Sequence, residues 1–261
     1  TIAKRYLWPG KGEGFIKLVA GISIGVVMLS VAMLVIVMSV MNGFRAELLD
    51  KIVGLNGHAI VQAYGGRLDD WKSVLVDIRE SEGVVSASPL IEQPLLVTFD
   101  GRVEAVLVRG NTQEEIDALQ DKTLMGSMAE IKPGADKVAI GSRLAEKIGA
   151  RGGDVITVIN PAGRSTPFGT VPRQVGYEVG AIFEVGLYDY DGAFIIMPIP
   201  QAQTLLLTGD TIGMIEVTTE DADRVTEIMA PIEQRLQGIA IVRTWQQINS
   251  SIFEALQVER V

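Results

Sequence analysis

The chain of 261 residues has no cysteine and only one histidine, His58. The lack of cysteine excludes disulfide scaffolds, cysteine-ligated zinc, iron–sulfur clusters, thiol nucleophiles and an N-terminal lipidated cysteine. A single histidine cannot build a site with several histidine ligands. The formal net charge of −9 argues against a general nucleic-acid-binding protein. We therefore predict no metal site and no nucleic-acid partner.

Signatures of catalysis are also missing. Residues 9–14 are glycine-rich but lack the spacing of a nucleotide-binding loop. Residues 189–192 resemble the opening of a calcium loop but lack the later ligands, so a turn between two strands is the better interpretation. A structural role is favoured for His58, since a general base needs a partner nucleophile that the sequence does not identify. The chain is predicted to have no catalytic residue of its own.

Long hydrophobic runs, by contrast, are present. No charged residue occurs from Leu18 to Phe44, a run of 27 positions. A helix of that length extends about 40 Å, whereas a bilayer core requires only about 20 residues. The run is too long for a signal peptide and no small-residue cleavage site follows it. Residues 18–44 are therefore a predicted transmembrane helix, which continues through Val53 as a stalk and ends near Gly54 or Gly57.

The charge distribution predicts the orientation of this helix. Residues 1–17 carry a net charge of +3, and the rest of the chain carries −12. The positive-inside rule places residues 1–17 in the cytoplasm as a lead and residues 45–261 in the periplasm of a double-membrane bacterium. Within the span, Gly21 and Gly25 form a Gly-x-x-x-Gly pattern that lets another membrane helix approach closely, although glycine is also simply tolerated in lipid.

Short strand and helix patterns alternate after the stalk, which predicts an α+β domain of mixed sheets and helices over residues 45–250. Two predicted strands, 94–99 and 103–108, flank Asp100-Gly101-Arg102, a strong hairpin signal. Asp69 is the predicted cap of a helix over 69–80. Two subdomains would meet at a soft boundary within 109–136, where polar, glycine and proline residues are frequent.

A second hairpin signal, at residues 159–178, is unusually rich in proline. Pro161, Pro167 and Pro172 lack backbone donors, so this segment is not an interior strand. Thr166-Pro167-Phe168-Gly169 suits a tight turn with Phe168 at its tip. A stiff arm with an exposed aromatic is typical of a docking element, because preorganisation lowers the entropic cost of binding. The alternative is a long hairpin that packs on its own domain.

Four segments of the chain resemble the transmembrane subunits of the bacterial lipoprotein-releasing ABC transporter, the LolC/LolE type. These subunits belong to a wider permease group, which includes the FtsX-like proteins, with a MacB-like periplasmic core. The resemblance covers essentially the whole chain, and its most specific parts are Lys4-Arg5-Tyr6-Leu7 and residues 37–44, 48–57 and 253–260.

The resemblance implies a function. In this family a partner ATPase uses ATP and Mg in the cytoplasm, and the membrane subunits extract acylated lipoproteins from the inner membrane. The lipoproteins pass to a soluble periplasmic chaperone. The expected partners are therefore cytoplasmic ATPase subunits, a second membrane subunit of the same or a related type, the chaperone and the lipoprotein, and no cofactor is expected on this chain.

The resemblance also assigns residues. LolC-type subunits carry a protruding hairpin, the hook, that recruits the chaperone. The positions of this sequence that look like the hook are Pro167, Phe168, Gly169, Thr170, Val171, Pro172, Arg173 and Gln174. Met41 matches a family position that contacts the lipoprotein, although it is also an ordinary residue for a membrane interface. The helix-packing residues would be Gly21 and Gly25.

The sequence departs from the family at two positions of the chaperone-binding surface. Thr157 lies near the place of a family arginine in the strand before the hook, and Val175 occupies the place of another after Gln174. The family has four membrane helices, so residues 251–261 are expected to lead into a second helix beyond this chain. The open alternatives are a MacB- or FtsX-type permease that does mechanical work without lipoproteins, and a membrane-anchored periplasmic sensor.

Overall fold

The structure is a computed structural model, and it describes residues 14–167 and 169–248 of the chain. Helix α1 runs without interruption over Gly14–Asn56. In the described part of the chain it is the one helix long and apolar enough to cross a membrane, through Leu18–Met41 with a mean hydropathy of 2.7. The predicted span and its helical extension are therefore confirmed, and the extension ends at Asn56, one residue before a glycine with φ +60°.

Residues 56–253 form a second compact unit built on one mixed sheet of ten strands. The main path of the sheet is β10-β1-β9-β2-β3-β8-β5-β7-β4, and β6 pairs with β2 and β7 off this path. The strands are β1 Ala59–Ala63, β2 Val84–Phe99, β3 Arg102–Asn111, β4 Thr123–Gly126, β5 Lys137–Gly141, β6 Val155–Thr166, β7 Gly169–Phe183, β8 Phe194–Pro198, β9 Met214–Thr219 and β10 Ala240–Thr244.

Seven α-helices of four to eleven residues accompany the sheet in the described part of this unit. They are α2 Trp71–Arg79, α3 Gln113–Ala118, α4 Ser142–Ile148, α5 Tyr188–Ala193, α6 Ile199–Leu206, α7 Val225–Arg235 and α8 Trp245–Ile248. The α+β class is confirmed. The soft boundary within 109–136 stays a prediction.

Strand β2 joins the two parts of the sheet. It pairs with β9 through Leu90 and with β3 from Ile91 onward. The sequence predicts a strand only from Pro94, because proline is rare in central strands. Pro89 is compatible with the strand because β2 is still paired only with β9 there. Pro94 borders only β3, since pairing with β6 begins at Leu96.

The predicted hairpin between β2 and β3 is present. Asp100 and Gly101 form a two-residue turn with φ of +47° and +76°. Positive φ at both central positions gives the turn the twist that antiparallel strands require, and glycine adopts it without strain. A sequence signal of two residues is sufficient here because the turn is wholly local.

Two local predictions are wrong. Asp69 does not cap α2; Asp70 occupies the cap position, and its side chain accepts from Ser73 Oγ (2.7 Å) rather than from a backbone N–H. Residues 189–192 lie within the short helix α5 rather than in a turn. The helix forms because the buried Asp191 carboxylate accepts from the backbone N–H groups of Val185 (2.8 Å) and Gly186 (3.0 Å) and so orders the preceding loop.

Candidate functional site

The proline-rich hairpin is a two-stranded ribbon made by the ends of β6 and β7. The two strands pair from Val155 with Glu178 to Thr166 with Gly169. Pairing of β6 with β2 ends at Ile159, and pairing of β7 with β5 begins at Glu178. Beyond these points the two arms pair only with each other among the described strands. The unbulged arm has four steps from Gly169 to Arg173, so at about 3.3 Å per residue the ribbon extends by roughly 13 Å.

The predicted turn at the end of the ribbon is confirmed. Thr166 and Gly169 are register partners, so the chain reverses direction between them. Gly169 has a φ of +118°, a conformation that favours glycine. Pro167 is exposed, and Phe168 lies outside the described residues. The ribbon formed by 160–174 is called the hook from here on.

The hook arm of β7 faces solvent. Residues 169–172 and Gln174 are all exposed, and the apolar side chain of Val171 is 57% exposed. Arg173 is half-buried, and its Nε is a buried donor with no hydrogen-bond partner in the described part of the chain. Of the two family departures, Thr157 lies opposite Gly176 and Val175 opposite Val158, both at the base of the ribbon.

The hook is not a regular ladder. Asn160 pairs with Arg173 and Arg164 pairs with Val171, so three residues of β6 lie opposite the single residue Pro172 of β7. The surplus makes a bulge, and a bulge bends its strand and increases the local twist. Proline is tolerated opposite a bulge because the disrupted ladder requires no donor there. Apart from its prolines and Gly163, no residue pattern predicts this bulge.

The other predicted site residues lie on α1. Met41 is half-buried, and it ends a stripe of residues on one face of the helix. The residues of this stripe are Ser30, Met33, Leu34, Val37, Met38 and Met41. Gly21 and Gly25 are exposed and have open space where a Cβ would lie.

His58 makes local structural contacts. Its Nδ1 accepts from the backbone N–H of Thr219 at 3.1 Å and lies 2.8 Å from the hydroxyl of the same residue. Burial lowers the pKa of the imidazole, and Asp221 partly opposes that shift. Within the described ranges, no three carboxylate or histidine side chains come together as a metal site requires.

A buried charge cluster, which no sequence pattern predicts, joins the two parts of the sheet. Arg109 of β3 is 3% exposed, donates from Nη2 to the Glu216 carboxylate of β9, and lies 3.5 Å from the Tyr190 hydroxyl. Glu92 is its register partner on β2. Burial raises the pKa of both carboxyls, and Arg109 opposes the rise. No motif reveals a contact between residues 107 positions apart.

Comparison with known proteins gives three sets of findings. A protein-family model described as the MacB-like periplasmic core domain matches residues 20–235. The lipoprotein-releasing system transmembrane protein LolC of Neisseria meningitidis is 29% identical over 263 residues, which cover 99% of this chain and 63% of that protein. LolC of Xylella fastidiosa (strain Temecula1) is 28% identical, with coverage of 100% and 63%. LolE of Haemophilus influenzae is 24% identical, with coverage of 84% and 54%.

Among solved structures, the periplasmic region of MacB from Actinobacillus actinomycetemcomitans gives a TM-score of 0.48 at 12% identity, covering 77% of this chain and 95% of that one. The extracellular domain of YknZ from Gram-positive bacteria also gives a TM-score of 0.48, at 13% identity, with coverage of 72% and 98%. The chain spans 63% of the length of the LolC relatives it matches.

Proposed function

This chain belongs to the family that carries a MacB-like periplasmic core domain, and on that premise we propose that it is a membrane subunit of an ABC transporter that releases lipoproteins from the inner membrane. The LolC relatives support this proposal, since their similarity extends along essentially the whole chain. The observation that carries the mechanism is the hook, an exposed ribbon that no other described strand pairs with.

The proposed location is the bacterial inner membrane, with the N-terminus in the cytoplasm and residues 56–253 in the periplasm. The charge asymmetry supports this orientation, because residues 1–17 carry +3 and the rest of the chain −12. ATP hydrolysis, with its Mg, takes place on cytoplasmic partner subunits. Gly21 and Gly25 provide a face for a second membrane helix, since close helix approach in lipid requires small residues.

In the proposed mechanism, the hook docks the periplasmic chaperone that receives the lipoprotein. Pro167 and Pro172 restrict the backbone, so little conformational entropy is lost on binding. Val171 offers apolar surface, and Arg173 offers an Nε donor that no residue in the described part of the chain satisfies. Met41 contacts the acylated part of the lipoprotein within the membrane. Methionine suits that role because its side chain is flexible and apolar.

A matched pair of substitutions tests the docking role. Val171 and Val103 are both strand residues and both 57% exposed, but only Val171 lies on the hook. Val171→Asp should weaken capture of the purified chaperone by the chain in nanodiscs by at least about tenfold, as expected for an apolar contact at the centre of an interface. Val103→Asp should leave capture unchanged.

The remaining hook residues are tested in the same assay. The double substitution Pro167→Ala with Phe168→Ala should also abolish capture while the circular dichroism spectrum stays native. Equal capture by the Val171→Asp variant and the unmodified chain would contradict the docking role. Complete lack of capture by the unmodified chain would favour a permease that works without a lipoprotein chaperone.

A further inference from the structure

The bulge divides the hook into two parts. Asn160 pairs with Arg173 at the base, and the distal part begins where Arg164 pairs with Val171. Between these pairs, β6 has two more residues than β7. We propose that Asn160 and Gly163 are positioning residues that hold this bulge and so set the direction in which the tip of the hook points. The inference rests on the proposed docking function and explains what orients the hook for docking.

Asn160 holds the start of the bulge. Its side chain is 5% exposed, and its Oδ1 accepts from the backbone N–H of Ala162 at 3.0 Å. A side chain that bonds the backbone two residues later stabilises a turn in place of the extended ladder. Pro161 between them is exposed and has no N–H to lose to the disrupted ladder. The hydrogen bond therefore fixes the point at which β6 leaves the regular register, directly after Asn160.

Gly163 closes the bulge against the opposite strand. A Cβ at this position would collide with the Val171 carbonyl oxygen and lie 2.9 Å from the backbone nitrogen of Arg173. Both obstacles are backbone atoms, so neither moves aside as a flexible side chain would. Its φ of +20° is also a conformation that side-chain-bearing residues rarely adopt. Close approach of the two arms at this point thus requires glycine.

The bulge matters for docking because a bent strand points its far end in a new direction. The proposed contact residues from Pro167 to Val171 lie beyond the bulge. The bulge does not change the chemistry of these side chains, but it determines where they lie relative to the sheet. A straight ribbon with the same tip would present the same side chains elsewhere, and contacts that depend on preorganised placement would be lost.

Deletion of Ala162 and Gly163 tests the proposal, because it restores a one-to-one register between the two arms. Since two residues are removed, each side chain at the tip stays on the same face of the ribbon. The chain has no natural cysteine, so spin labels at Thr170→Cys and Val103→Cys report one distance. Removal of the bulge should straighten the strand and move the label at position 170, so the mean distance should shift beyond the width of the distance distribution of the unmodified chain. Chaperone capture by the full chain in nanodiscs should fall by about tenfold or more.

Two substitutions separate positioning from folding. Asn160→Leu removes the acceptor for the Ala162 N–H and should shift the distance and weaken capture. Asn160→Asp keeps an oxygen acceptor at the same place, opposite Arg173, and should restore both. An unchanged distance in the deletion variant would overturn the proposal, as would a changed distance with unchanged capture. If the unmodified chain captures no chaperone, the proposed function fails, and the distance measurement still decides whether the bulge sets the direction.

Discussion

Removal of the buried Arg109 guanidinium should destabilise the domain severely. Arg109 is 3% exposed and donates to Glu216, and Glu92 lies opposite it on the neighbouring strand. Arg109→Met fills similar volume but leaves both carboxyls without their cation. Breaking a buried ion pair by removing one partner costs about 3–5 kcal/mol, because the remaining charge stays desolvated. For a unit of this size that corresponds to a fall in Tm of roughly 6–20 °C.

The assay is thermal unfolding of the chain in detergent micelles, followed by tryptophan fluorescence, to which Trp245, 4% exposed in the folded domain, contributes. Arg235→Met is the control, because Arg235 pairs with Asp77 at 3.0 Å on the surface. Exposed pairs contribute about 0–1 kcal/mol, so the control should lose at most roughly 4 °C.

A second substitution identifies the cause of the loss. Arg109→Met combined with Glu216→Leu replaces the pair by apolar groups, an exchange that is often neutral or stabilising. The double variant should therefore recover most of the lost stability. The deficit of Arg109→Met alone should also shrink as the pH falls, because protonation removes the unpaired charges. If Arg109→Met were no less stable than Arg235→Met, or if the double variant were as unstable as Arg109→Met, this explanation would be refuted.

Three further outcomes are expected. Burial raises the pKa of Glu92, so ionisation of its carboxyl destabilises the folded chain as the pH rises above 4.5. In urea unfolding, the stability of Glu92→Gln relative to the unmodified chain should therefore be greater at pH 7 than at pH 4. Gly101→Ala should lower the free energy of unfolding by roughly 1–2 kcal/mol, because alanine is strained at positive φ. Gly126→Ala should lower it further, because only there would the new Cβ collide with the backbone of β7. Equal urea midpoints for the two variants would contradict this. Gly25→Leu should reduce co-purification of a second membrane subunit, whereas unchanged recovery would remove Gly25 from the helix interface.

The elements that the sequence predicts well are those with local causes. The membrane helix follows from an uninterrupted apolar run. The turns at Asp100-Gly101 and between Thr166 and Gly169 follow from local sequence signals. The hook as a protruding ribbon was predictable because prolines exclude it from the interior of a sheet. Its docking residues stay a prediction.

The features that the sequence could not reveal depend on distant pairing. The sequence does not predict the first half of β2, because Pro89 argues against a strand there. Only the order of the described strands in the sheet shows that this half of β2 pairs with β9 on one side and has a free edge on the other. The Arg109–Glu216 pair joins strands that are far apart in the sequence. Asp191 orders its loop through backbone donors that no residue pattern marks.

The most direct test of the account is ATP-driven release of an acylated lipoprotein from proteoliposomes that contain the whole transporter and its ATPase. Release into solution should require ATP, the acyl chains and the soluble chaperone, and it should fall by about tenfold in the Val171→Asp variant but not in Val103→Asp. Release that proceeds equally without the chaperone, or no release with every component present, would contradict a lipoprotein-releasing function that acts through the hook.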